Sequence, residues 1–252
     1  MEQLILINLI IFGLSFLSGM LGLGVAFVAT PVLGLFGFEL KHAIMPWALL
    51  LNGLTAISAA VTYLRRGMVD LRTGMPLLVL TTLAAPLGVY LLRFASTTTV
   101  WWIFVAVLVF LAARMLVKRP GDGAVDVTDI SGSTRILGFI AGTAIGVFAG
   151  FLGVGPGFLL MPTLVLLGYT ARIAAATNAL VVTLPSFSAF AAHWATAQLD
   201  PALLGTTAVT SIAGAQLGAA FMASRVRSRT LEVVFAVLLA VLAIQRAYIL
   251  LR

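Results

Sequence analysis

The chain has 252 residues, of which 62% are hydrophobic and 9% charged, with a formal net charge of +7 and no cysteine. Ordinary soluble domains carry roughly 25% charged residues, so a water-soluble core is excluded, and the missing cysteines exclude a disulfide framework, thiolate metal sites and cysteine nucleophiles. The basic balance does not point to nucleic acid, because the cations sit in short connections between apolar segments, where they report membrane orientation.

The N-terminus carries Glu2 and no early Lys or Arg. It lacks the cationic start of a cleavable signal peptide, so the first segment is expected to stay in the mature chain. No charge occurs from Gln3 to Phe38. As one helix that run would be roughly 50 Å long, against about 30 Å of hydrocarbon. Gly22-Leu23-Gly24 breaks it into a piece from Leu4 to Leu21 and a shorter one from Val25 to Gly37. Further segments are predicted over His42–Tyr63, Gly74–Leu92 and Thr99–Val117. The first repeat thus covers residues 1–117. A polar stretch, 118–135, contains Pro120-Gly121-Asp122-Gly123 and Ser131-Gly132-Ser133, and is read as a cytoplasmic linker. The second repeat, 136–252, holds Ile136–Leu152, Phe158–Leu167, Ile173–Trp194, Ala202–Met222 and Leu231–Leu251. About 8–10 hydrophobic segments are expected in all, each near the ~20 apolar residues of a span or shorter.

The halves are related in sequence. An offset of 131 places Gly22 on Gly153, Gly24 on Gly155, Pro31 on Pro162, Gly37 on Gly168 and Lys41 on Arg172. An offset of 130 then pairs Asp70 with Asp200 and Leu87-Gly88 with Leu217-Gly218. Positive loops change places between the copies. Arg65, Arg66 and Arg72 follow the third segment of the first half, whereas its counterpart is followed by Asp200; Arg225, Arg227 and Arg229 follow the next segment of the second half, against a lone Arg93 in the first. The positive-inside rule therefore predicts repeats of inverted topology. It places Arg65, Arg66, Arg72, Arg114, Lys118, Arg119, Arg135, Arg172, Arg225, Arg227 and Arg229 in the cytoplasm, and leaves Lys41, Arg93, Arg246 and Arg252 outside. Each half then crosses an odd number of times, by five spans or by three plus a re-entrant hairpin.

The paired breaks are the candidate binding site. Gly22, Gly24 and the second-half cluster Gly153, Gly155 and Gly157 interrupt helices at membrane depth, where irregular backbone needs protein or a water-filled cavity to satisfy it. Free N–H groups at the start of the following short helix suit an anion, and paired interruptions in two halves are the sequence pointer to a transporter's site. Asn52 shares a helical face with Thr55 and Ser58, while Thr177 and Asn178, then Ser186 and Ser188, lie in the matching segment. Asn52, Thr177 and Asn178 are the candidate side-chain donors. All eight acids fall at segment ends or in loops, which disfavours cation transport. Trp47, Trp101, Trp102 and Trp194 read as an interfacial belt.

The second half resembles the sulfite exporter TauE/SafE family of membrane permeases, whose half-repeat opens with a glycine-rich motif, then a proline, a glycine turn and an Ala-Thr-Ser-like segment. Here these read Gly153-Val154-Gly155-Pro156-Gly157, Pro162, Gly168 and Ala174-Ala175-Ala176-Thr177-Asn178; the first half keeps Gly22, Gly24, Pro31 and Gly37 but has Met45-Pro46-Trp47 in the last place. The resemblance implies a permease for a small anion, chiefly a sulfur oxyanion or organosulfonate such as sulfite or sulfoacetate. The expectation is an all-α polytopic protein of a bacterial inner membrane. It transports by alternating access between glycine-broken or re-entrant helices, with no enzymatic activity, cofactor or metal. A coupling ion, H+ or Na+, and a homo-oligomeric state are left open. An anion channel of the same architecture and a non-transporting membrane subunit stand as the alternatives.

Overall fold

The computed structural model describes residues 2–26, 29–30, 33, 36, 43–91, 97–117, 132–152, 155–194, 197 and 200–251. Among these, nine helices account for nearly all the backbone, and none forms a sheet. They are α1 (Glu2–Leu21), α2 (Met45–Arg65), α3 (Leu71–Leu91), α4 (Thr97–Val117), α5 (Gly132–Leu152), α6 (Gly157–Leu166), α7 (Ala171–His193), α8 (Pro201–Arg225) and α9 (Ser228–Leu251). Their ends fall within a few residues of the segments read from charge and turn residues. They overrun them mainly by taking in polar ends such as Gly132–Arg135, because a helix continues past the hydrocarbon until a cap or proline stops it.

Among the described residues, six helices are long and apolar enough to cross a membrane: Glu2–Leu21, Met45–Arg65, Leu71–Gly88, Gly132–Gly150, Ala171–Ala191 and Ser228–Gln245. α8 has 25 residues, enough for about 37 Å of helix. Its Gly, Thr, Ser and Gln dilute the apolar signal because it lies against α1 and α2. The outward faces are apolar: Leu83, Val209, Ile244 and Leu251 are each at least 69% exposed. A soluble monomer does not present so continuous an apolar surface; here it meets lipid tails. The protein is a polytopic, all-helical membrane protein.

Packing pairs helices from opposite halves. α1 lies along α8, with Asn8 at Thr206 and Thr210, Phe12 at Gly214 and Phe16 at Gly218. Residue numbers rise together, so these helices are parallel. α3 and α5 repeat the arrangement, with Leu77 at Gly142, Thr81 at Gly146 and Ala85 at Gly150. Gly19 faces Ala215 and Gly150 faces Ala85, and the offsets of 131 and 130 convert one pair into the other. In membranes such small residues let backbones come close enough for dispersion to hold helices together. α2 packs on α7 and α4 on α9. Arg229, at the start of α9, donates to the carbonyls of Met115 and Leu116 at the end of α4, so that pair is antiparallel.

One end of the bundle collects the positive charge. Arg135 meets Asp70 beside the α2–α3 turn, which carries Arg65, Arg66 and Arg72. Arg172 donates to the Ala223 carbonyl, close to Arg225, Arg227 and Arg229. Of the eleven cations assigned to the cytoplasm, only Lys118 and Arg119 lie outside the described residues; so does most of the linker, along with Pro31, Gly37 and Lys41.

Trp47 departs from the expected interfacial belt. It is buried, and its indole N–H donates to Thr207 Oγ1 at 3.0 Å, because α8 covers this face of α2. Trp102 and Trp194 remain exposed.

The close helix pairs make a sharp prediction. A methyl at Gly150 would run into the Ala85 carbonyl, whereas Gly205, in the same kind of helical backbone, has open space around it. Gly150→Ala is expected to destabilise by about 1–3 kcal/mol through overpacking. Gly205→Ala should be neutral or stabilise by up to about 1 kcal/mol. Thermal unfolding of both variants in detergent checks this.

Candidate functional site

α1 ends because Gly22 and Gly24 turn the chain into the left-handed region, with φ of 68° and 78°. Residues with a Cβ enter that region only at a cost of about 1–2 kcal/mol. Helical backbone resumes at Val25 and Ala26, and the Ala29 N–H reaches the Val25 carbonyl at 2.9 Å. The second break is built differently. Gly155 has no positive φ, and Pro156 stands at the N-cap of α6 without a side-chain capping bond. Gly153 lies outside the described residues.

Two asparagines hold these breaks. Asn178 is fully buried in α7, and its Nδ2 donates to the Gly22 carbonyl at 2.9 Å and to the Gly157 carbonyl at 2.7 Å. One side chain thus ties the break of the first half to that of the second. Both its amide protons are used, and Oδ1 is buried without a protein hydrogen-bond partner. Asn52, in α2, accepts the Ala26 N–H at Oδ1 (2.7 Å) and donates from Nδ2 to Ser186 Oγ on α7 (2.7 Å). Gly24 packs directly on this amide. Gly157 abuts the Leu23 carbonyl and Val182, so the breaks touch.

Between them lies a small pocket of about 20 Å³, lined by Leu23, Gly24, Ala26, Asn52, Gly155, Phe158, Leu238 and Leu242. Of the expected site residues, Gly24, Asn52 and Gly155 line it. Gly22, Gly157 and Asn178 lie behind the wall and brace it. Thr177 points elsewhere: its Oγ1 accepts the Asp70 N–H at 3.0 Å. Thr55 and Ser58 are buried with Asn52, as their shared face requires. Leu238 and Leu242 of α9 and Phe158 supply the apolar side, and Phe158 is held edge-to-face on Phe104 with centroids 5.4 Å apart. Nothing in the sequence separates those two leucines from the lipid-facing residues around them.

A second polar group sits at the cation-rich end. Asp70 caps α3, accepting the N–H groups of Arg72 (3.0 Å) and Thr73 (3.3 Å) at Oδ1 and the Thr73 hydroxyl (2.6 Å) at Oδ2. Tyr169 lies at 3.4 Å from Oδ2, and Arg135 Nε at 3.8 Å. Burial pushes the Tyr169 hydroxyl above the usual phenol range, so it stays protonated. Asp70 was legible as a segment-end acid but is only 1% exposed; its place in the sequence does not reveal that α5 and the α6–α7 turn cover it.

The family model for the sulfite exporter TauE/SafE matches residues 7–246. Neither a curated protein nor a solved structure matches the chain.

Removing the Asn178 clasp leaves two buried carbonyls short of a donor, at about 1–3 kcal/mol each. Asn178→Leu should lower stability by about 2–5 kcal/mol. Asn178→Asp, which sets carboxylate oxygens against the same carbonyls, should be at least as damaging. Thermal unfolding in detergent tests both, and a midpoint unchanged in Asn178→Leu would show that the clasp carries no stability.

Proposed function

The chain belongs to the sulfite exporter TauE/SafE family, a family of membrane transporters rather than enzymes, and on that premise we propose that it is a secondary transporter for a small anion, working by alternating access around the pocket between the two broken helices. The carrying observation is the meeting of both breaks at one pocket beside the N-terminal turn of α6. Helix starts leave N–H groups without intrahelical acceptors and carry positive partial charge. Pro156 offers no side chain to cap them. An oxyanion at Gly155 would accept from this turn, and the Asn52 amide, which gives one proton to Ser186, has a second to offer. Among the described residues no Lys, Arg or His lines the pocket, so the reading rests recognition on neutral donors. That arrangement favours a monoanion over a more strongly hydrated dianion. The pocket is small as it stands, about 20 Å³, which favours sulfite as the smaller candidate; the apolar wall of Leu23, Phe158, Leu238 and Leu242 would face the carbon chain of an organosulfonate such as sulfoacetate once the helices part.

Inverted repeats are a common basis for alternating access, and the reading takes the two halves as inverted copies. Its supports are the swapped positive loops, the collection of those cations at one end, the exchange of α1/α8 for α5/α3, and the antiparallel α4 and α9. The protein is read as resident in a bacterial inner membrane, with 118–131 on the cytoplasmic side.

Purified protein should be stabilised by its substrate when tested against sulfite, sulfate, thiosulfate, sulfoacetate, taurine, acetate and phosphate. A ligand at 100 times its Kd raises stability by about 2.7 kcal/mol. A shift with one monoanionic sulfur compound is expected, and Asn52→Ala and Gly155→Leu should each abolish it along with counterflow in proteoliposomes. Folded Asn52→Ala and Gly155→Leu proteins that transport at the unaltered rate would sink the assignment of this pocket. Flux without saturation or counterflow would make the protein a channel.

A further inference from the structure

We propose that Asp70 and Arg135, with Tyr169 and Thr73, form the gate that closes the cation-rich end of the transport path, an inference that rests on the transporter reading above. Asp70 belongs to the first half, at the start of α3. Tyr169 in the α6–α7 turn and Thr177 in α7 belong to the second half, and Arg135, the last residue of the linker, lies at the start of its first helix, α5. Three contacts converge on Asp70, Arg135 and Tyr169 on the carboxylate and Thr177 on the N–H, and Tyr169 is also hydrogen-bonded to Thr73 beside it. Separating α3 from these elements at this end means breaking them together.

Asp70 is the one buried carboxylate among the described residues. Two N–H groups, a 2.6 Å hydroxyl bond and a guanidinium converge on it. Arg135 Nε is buried and has no hydrogen-bond acceptor, so Asp70 is what balances it here. Removing either partner would leave the other as a poorly compensated buried charge.

Among the described residues the opposite end has no equivalent. The offsets put Asp200 at the place of Asp70, but Leu203 at Thr73, Leu4 at Arg135, Phe38 at Tyr169 and Pro46 at Thr177. Asp200 keeps the capping function: its carboxylate accepts the Ala202 and Leu203 N–H groups and is solvent-exposed. Across that end the described contacts between halves are neutral: Asn8 with Thr206 and Thr210, and Trp47 with Thr207. Charge-assisted contacts are roughly twice as strong as neutral ones. The cation-rich end is the locked one in this conformation. Thr177 also joins the gate to the site, because its neighbour Asn178 grips both helix breaks.

The absence of native cysteine gives a direct test that needs no substrate. Gly155→Cys adds a thiol to the pocket with only the Asn52 amide within 4 Å. Its reaction with a membrane-impermeant maleimide is followed in vesicles of both orientations, with Arg66→Cys marking the cation-rich side. Asp70→Asn keeps a good helix cap and removes the charge; Arg135→Gln removes the partner. Each is expected to raise labelling from the cation-rich side by about tenfold and to lower it from the other side. The double variant should match the singles rather than multiply them, since both break one interaction. Labelling of Gly155→Cys that is unchanged, slow or absent alike, in folded Asp70→Asn and Arg135→Gln overturns the gate. A gate that responds while no anion is bound or moved leaves this inference standing and removes the transporter reading alone.

Discussion

Unsatisfied backbone inside hydrocarbon is the constraint on which the rest of this structure depends. Each orphaned peptide group there costs several kcal/mol, yet the chain breaks its helices at Gly22–Gly24 and again at Gly155–Pro156. It can do so because each break is answered from a neighbouring helix. Asn178 takes the Gly22 and Gly157 carbonyls, and Asn52 takes the Ala26 N–H. The asparagines are thus as much a part of the broken backbone as the glycines. Because Asn178 serves both breaks at once and Asn52 reaches Ser186 on α7, neither half can form its break alone. The pocket is a consequence: where two chains leave helical geometry side by side, a gap opens between them that leucine and phenylalanine side chains only partly fill.

The same interdependence shapes the packing. The first helix of each half lies along a helix of the other half, α1 on α8 and α5 on α3. Glycines at those contacts bring the backbones together, so each pair joins the two halves.

Much of this was legible because hydrocarbon is a simple solvent. Segment ends follow from where charge becomes tolerable, and Gly22, Gly24, Gly155, Asn52 and Asn178 stand out as residues with no reason to lie in a purely lipid-facing helix. What could not be read were matters of neighbourhood. Leu238 and Leu242 line the pocket while Val237, Val241 and Ile244 face lipid; in composition they are the same stretch. Asn178 looks like a donor for an anion, but its protons are spent on carbonyls. Thr177 serves Asp70 and not the pocket. Trp47 looks interfacial until α8 covers it. In each case the residue type was informative and its partner, set by tertiary packing across more than a hundred residues, was not.

The divergence between the halves has a physical use. Perfect copies would give inward- and outward-facing states equal energy, each the mirror of the other. Here the glycine-proline break is confined to the second half, and the residues that surround Asp70 are replaced by Leu203, Leu4, Phe38 and Pro46 around Asp200. Each replacement removes a polar contact from one end only. On the transporter reading proposed above, the two states would then differ by the balance of a charged cluster against a few neutral hydrogen bonds, with the resting conformation biased toward closure at the cation-rich end. A degenerate first half would thereby be more than a decayed copy of the second, because it would supply the asymmetry that two inverted copies otherwise lack.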